Sequence, residues 1–310
     1  MESVRGLTGS DYAKYALLVM YAWDMCDADL APASDALDIR IKADGWTIVG
    51  IITGADDIIA SSPTGIRQSM IRPSGQDDRK RYGFLAKSDT SNLYVAAIRG
   101  TDGSEEWIDD FVFFAGQRPP LPGSVETGFA DIYFSMQYRP LGGVASEKLS
   151  DGIAAAIGDG DVLVLGHSLG STLATALTYE LADPAALGGA RVGAIFYASP
   201  KLGDHDFVDG FATRVGNYTV MNYEHDVVLL VPPFDVTHLD LYRTLPYCFT
   251  ITDEMATAVI NSSDKGCCHH IIDYIAMLSP DQYTRASAAP GWTADDMSCA
   301  KCVISLRGQG

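Results

Sequence analysis

Gly166-His167-Ser168-Leu169-Gly170 is the stretch of this sequence best equipped for covalent chemistry. It fits G-x-S-x-G, and its flanks give weight to so short a pattern: DVLVL before it reads as a buried strand and STLATALTYEL after it as a helix. A strand-to-helix turn this sharp holds the serine in a strained backbone conformation and projects its hydroxyl away from the sheet. The helix N-terminus behind it favours developing negative charge. The chemistry on offer is attack by the Ser168 hydroxyl on an acyl carbon. The plainer alternative is a glycine-flanked turn with an incidental serine.

A serine hydroxyl is a poor nucleophile at neutral pH unless a base takes its proton and a carboxylate orients that base. On sheets of this kind the chain order is serine, acid, histidine. YTVMNYEHD reads as a strand ending in Asp226, at the carboxyl edge where open α/β sheets bind ligands. Asp204, Asp206 and Asp209 follow the preceding strand on a helix read as solvated, and Asp235 and Asp240 fall in a loop with prolines. Asp226 is therefore the expected acid. Among six histidines, His167 adjoins the serine but points the other way and is read as structural, while His205 and His225 precede the acid. His238, His269 and His270 remain. The adjacent pair opens the apolar helix IIDYIAML, and His269 is preferred to His270.

These residues need a frame. Tyr94 to Ile98, Val162 to Leu165, Val192 to Ala198 and Tyr218 to Tyr223 are short apolar runs. Helical patterns fall between them at Ala130 to Gln137, Ser146 to Ile157, Ser171 to Ala182 and Asp204 to Arg214. Short apolar strands alternating with helices predict an α/β fold with a mostly parallel central sheet covered on both faces. Asp11 to Trp23 adds an amphipathic helix and Trp46 to Ile52 a strand, whereas Ser61 to Lys80 reads as surface loop. No linker divides the chain, so residues 1–310 are expected to form one domain.

Composition removes other classes. A net charge of −18 argues against a nucleic-acid partner, whose phosphates must be met by Lys and Arg. The longest apolar run, Tyr15 to Trp23, is far short of the roughly 18–20 residues of a membrane span. MESVRGLTGS lacks the pattern of a secretory leader, which leaves a cytoplasmic protein or a processed secreted one. Cys299 and Cys302 form a lone CxxC and Cys267 and Cys268 are adjacent; a local disulfide or reduced thiols is the expectation, in preference to a metal centre.

Several segments together resemble the class 3 lipases, a fungal-lipase-like branch of the α/β-hydrolases. Ala97-Ile98-Arg99-Gly100-Thr101 is similar to that family's F-R-G-[ST], and Trp107 to Phe111 to its W-x-x-D-[LF]. Gly128-Phe129 with Tyr133 resembles H-x-G-F-x-x-A-Y, with Glu126 where the family has His. GHSLG is the family's usual turn, Ser199-Pro200-Lys201-Leu202-Gly203-Asp204 is similar to [ST]-P-R-V-G-[ND], and Asn222 to Asp226 resembles N-x-x-D with one residue more between its ends. Tyr274 follows His269 at the spacing of H-x-[LM]-x-x-Y, the main support for His269. The likeness runs from about Tyr94 to Leu278, with the motifs in the family's order.

The resemblance implies the α/β-hydrolase fold, an oxyanion hole from the main-chain amides of Thr101 and Leu169, and a short helical lid over about 102–114. In that segment Trp107, Ile108 and Phe111 share one face and Glu106, Asp109 and Asp110 the other. A fixed surface helix burying the same apolar residues is the alternative. Arg99 is read as structural, pairing with Asp110. The implied activity is hydrolysis of carboxylic esters, acylglycerols first, at an oil–water interface, with no cofactor and no metal. Short-chain or feruloyl-type esterase and phospholipase A1 activities would use the same triad of Ser168, Asp226 and His269. A catalytically silent interaction protein on the same fold is the reading from another class.

Overall fold

A computed structural model describes residues 2–27, 35–55, 79–100, 113–146, 148–232, 241–288 and 301–307. Two apolar layers enclose an eight-stranded sheet in the order β10-β9-β8-β7-β3-β2-β1-β6. Its parallel half is β3 (Leu93–Ile98), β7 (Asp161–His167), β8 (Val192–Tyr197), β9 (Tyr218–Tyr223) and β10 (Cys248–Ile251). The other half is antiparallel: β1 (Trp46–Gly54), β2 (Lys80–Ser88) and β6 (Gln137–Pro140). Two short ribbons pair β4 (Ala115–Gly116) with β5 (Val125–Glu126) and β11 (Ala258–Ile260) with β12 (Val303–Leu306).

The central strands are apolar at successive positions because both faces are covered. On β7, Val162 and Val164 enter one layer while Leu163 and Leu165 enter the other. The first layer holds α3 (Thr127–Ser135), α4 (Leu149–Ile157), α5 (Leu169–Leu181) and α6 (His205–Arg214). The second holds α1 (Gly9–Asp27), α7 (Ile271–Leu278) and part of α2 (Asp35–Ala43), with α8 (Pro280–Ser287) following α7. Ser279 separates these last two, its side chain accepting from the Gln282 amide with Pro280 at the first helical position. Among the described residues no helix is long and apolar enough to cross a membrane.

The four apolar runs expected as parallel strands are β3, β7, β8 and β9, and the helices between them begin or end within a few residues of their expected bounds. The sequence pattern marks none of β2, β4, β5, β6, β10, β11 and β12. The expected loop over Ser61 to Lys80 lies outside the described residues up to 78; Lys80 itself opens β2. The cysteine expectation is corrected: Cys302 is bonded to Cys267, not to Cys299 within the CxxC. The partner comes from across the fold because β12 lies against β11, next to the turn that carries Cys267. Cys268 is buried and Cys248 exposed.

Candidate active site

Ser168 stands between β7 and α5 with φ 57° and ψ −132°, a backbone conformation an L-residue occupies only under constraint, at a cost of about 1–3 kcal/mol. The constraint is close packing. A Cβ at Gly166 would overlap the Gly170 carbonyl, and one at Gly170 would overlap that of Arg99. The end of β3 also presses on the turn, since a Cβ at Gly100 would come within 3.0 Å of the Ser168 Cβ. The Ser168 amide donates to the Tyr197 carbonyl at 3.0 Å, and the Ser171 hydroxyl to the Ser168 carbonyl at 2.6 Å. Leu169 opens α5, so its amide belongs to the first turn, where N–H groups have no intrahelical acceptor.

The three expected triad residues meet. Ser168 Oγ lies 2.7 Å from His269 Nε2. His269 Nδ1 lies 2.9 Å and 3.1 Å from the two carboxylate oxygens of Asp226. Asp226 leaves the end of β9, is buried, and its Oδ1 also accepts from the Val228 amide at 2.9 Å. Its Oδ2 accepts from the Tyr274 hydroxyl at 2.8 Å. With Nδ1–H donated to the carboxylate, Nε2 is left with the lone pair that can take the serine proton.

His269 follows a short 3-10 turn (Gly266–Cys268), one residue before the His270 that precedes α7. His270 is half-buried, and burial, reinforced by the neighbouring His269, pushes its imidazole down to about 4. His167 is buried behind the turn, with its Nε2 2.6 Å from the main-chain oxygen of His269. Burial is the main cause that holds its ring well below the usual histidine range. His205 is on the exposed surface of α6, and His225 pairs with Asp253 at 3.2 Å on the outside of the fold. His238, Asp235 and Asp240 lie outside the described residues.

Asp204 caps α6 through the Phe207 amide and also accepts from the Ser124 amide, both at 2.9 Å, which occupies it structurally. Arg99 is wholly buried against the rings of Trp23 and Tyr82, donating to the carbonyls of Arg81 and Gly100. Its expected partner Asp110 lies outside the described residues, as do Thr101, Trp107, Ile108 and Phe111. The expected lid segment is described only at Phe113 and Phe114. Phe113 meets the Phe129 ring, and the Phe114 amide donates to Glu126 at 3.3 Å.

Glu126 explains its own departure from the family motif. It is the N-cap of α3, accepting from the Phe129 amide at 2.6 Å, and a buried carboxylate so placed satisfies orphan amides as serine or aspartate would. Desolvation still raises its pKa. Two contributors went unrecognised in the sequence as parts of the site: the Tyr274 hydroxyl on the acid and the His167 ring on the base. The first had a signal in its motif spacing. The second had one in strand parity, since 163, 165 and 167 point into the same layer.

Residues 95–236 match the family described as Lipase (class 3). A phospholipase A1-II 7 of Oryza sativa subsp. indica is 28% identical over 206 residues, covering 53% of this chain and 49% of that protein. A secreted mono- and diacylglycerol lipase A of Penicillium cyclopium is 25% identical over 150 residues, covering 48% and 46%. The chain thus spans about half the length of these curated relatives. The Rhizomucor miehei triacylglyceride lipase structure superposes with a TM-score of 0.55 at 19% identity, over 79% of this chain and 80% of that one. A likeness at that identity speaks to the fold alone, which is that of the α/β-hydrolases. The motif order, the matched segment and the fold agree in their likeness to the class 3 lipases.

Proposed function

We propose that the protein is a serine carboxylic-ester hydrolase of the lipase/esterase type, acting on acylglycerols or related acyl esters through an acyl-enzyme. The observation that carries this reading is the hydrogen-bonded relay from Ser168 through His269 to Asp226, buried at its acid end. In this mechanism His269 Nε2 takes the Ser168 proton as Oγ attacks the ester carbonyl. The tetrahedral oxyanion is met by main-chain amides, for which Leu169 and Thr101 are our assignments. One such donor is typically worth about 3–4 kcal/mol. Collapse expels the alcohol, which leaves with the proton from His269. Water then attacks the acyl-serine, giving up its proton to the same nitrogen, which returns it to Ser168 Oγ as the carboxylic acid departs. Asp226 fixes the tautomer and faces the imidazolium throughout.

Glycerolipid esters head the substrate list because one relative is named a mono- and diacylglycerol lipase. Phospholipase A1 activity is the second reading, favoured by the name of the rice relative. We read residues 1–310 as one domain. The assay is labelling by a fluorophosphonate probe and hydrolysis of p-nitrophenyl esters from acetate to palmitate, below and above the concentration at which an interface forms. Labelling and turnover by the intact chain, both absent from Ser168→Ala, are expected. Equal labelling of the two, or none of either, would leave a silent family member.

A further inference from the structure

We propose that His167 is a positioning residue for the catalytic base: its imidazole grips the main chain of His269 and backs the ring of that residue. The proposal rests on the reading of His269 as the base. It starts from strand parity. Leu163, Leu165 and His167 alternate into the layer that contains α1 and α7, whereas Ser168 begins the turn away from the sheet. The side chain beside the nucleophile is thereby delivered to the elements that hold the base rather than to the substrate side.

The contacts give this placement a role. His167 Nε2 is 2.6 Å from the His269 carbonyl oxygen, and a carbonyl only accepts, so Nε2 carries the hydrogen. The two imidazoles lie with centroids 4.9 Å apart at 36°. Tyr274, which holds the other end of the relay through Asp226, meets the His167 ring edge-on at 6.2 Å, and Trp23 of α1 closes the third side at 6.4 Å. His167 is 2% exposed.

Two consequences follow for catalysis. His269 sits at the end of a short 3-10 turn with no helix of its own, so its carbonyl is the main-chain handle by which β7 can fix its distance to Ser168. The nucleophile and the clamp on its base are adjacent residues, so their relative placement is set by a single peptide unit. Secondly, burial together with the neighbouring His269 keeps the His167 ring neutral. When His269 becomes an imidazolium during turnover, it then faces a polarisable ring and not a second positive charge.

The experiment compares His167→Phe, His167→Gln and His167→Asn with wild type and Ser168→Ala, using kcat and KM on a soluble p-nitrophenyl ester, the rate of fluorophosphonate labelling, and thermal melting. Phe keeps an aromatic ring but no donor; Gln can extend an N–H to about the place of Nε2, and the shorter Asn cannot. We expect His167→Phe and His167→Asn to lose about 10–100-fold in kcat and in labelling rate with KM within about twofold, as a displaced base would, and His167→Gln to recover most of that loss. A role in packing alone would move the melting temperature without this ordering. Wild-type kcat in His167→Phe, or in His167→Asn should Phe fail to fold, overturns the proposal. An inert wild type is a different failure, that of the hydrolase reading itself.

Discussion

The Tyr274 hydroxyl donates to Asp226 Oδ2 at 2.8 Å while accepting from the Tyr223 amide at 2.9 Å. A side chain from α7 thus ties the acid to the last residue of the strand that presents it. Burial, with the Asp226 charge beside it, raises the phenol well above its ordinary range, so it remains a donor at neutral pH. Tyr274→Phe removes that donor and strands a buried amide. An unsatisfied buried group costs about 1–3 kcal/mol, so a melting shift of a few degrees is expected, with kcat lowered about tenfold and KM little changed. Steady-state kinetics and calorimetry check both, and an unaltered kcat would show that the His269 and Val228 contacts hold the acid unaided.

The assignment of the base to one of two adjacent histidines is open to direct test. His269 touches both Ser168 and Asp226, whereas His270 is kept neutral by burial, at about 4, and among the described residues no hydrogen bond joins it to either. His269→Ala and Asp226→Asn should each remove most ester hydrolysis, by about 10⁴-fold for the acid if the relay behaves as triads generally do. His270→Ala should retain activity within a few-fold. Retention by His269→Ala with loss by His270→Ala would move the base by one residue.

The Cys267–Cys302 bond joins the turn before the base to the C-terminal strand across a separation of 35 residues. Chain-entropy reasoning gives a bridge of that loop length about 3–4 kcal/mol. Since Cys267 is two residues from His269, its loss should also lower the phosphonate labelling rate at temperatures where the fold persists. Cys302→Ala and reduction by a dithiol are expected to act alike. Peptide mapping under non-reducing conditions decides the pairing, and a Cys299–Cys302 fragment would refute it.

The legible parts of the sequence were those where one local pattern determines one structural outcome. Four apolar runs became β3, β7, β8 and β9 because a strand covered on both faces has no polar position to blur it. The turn at Ser168 was legible because two close backbone approaches demand Gly166 and Gly170. β2 was hidden by Gly83 and by its charged ends, and β10 by its largely exposed edge. β11 and β12 pair across more than forty residues, and neither has an apolar period of its own to announce it. His167 points away from the serine, and that direction is what brings it to His269.

Asp273 offers the clearest test of stability against pH. It sits on α7, fully buried, with neither carboxylate oxygen hydrogen-bonded among the described residues. Desolvation, with the Asp264 charge adding to it, raises its pKa well above the ordinary value. An acid whose folded pKa is raised binds more protons when native than when unfolded. Its stabilising share is therefore complete below the unfolded value, near 4, and is lost as pH climbs through the folded one. Asp273→Asn cannot ionise, so the difference in unfolding free energy between variant and wild type should widen in the variant's favour from pH 5 to pH 8. The expected gain at the upper end is about 1–3 kcal/mol, the usual cost of an unpaired buried polar group. Urea unfolding at both pH values measures it. A difference that is flat across that range would mean that the folded carboxyl is already ionised at pH 5, its pKa not raised by burial.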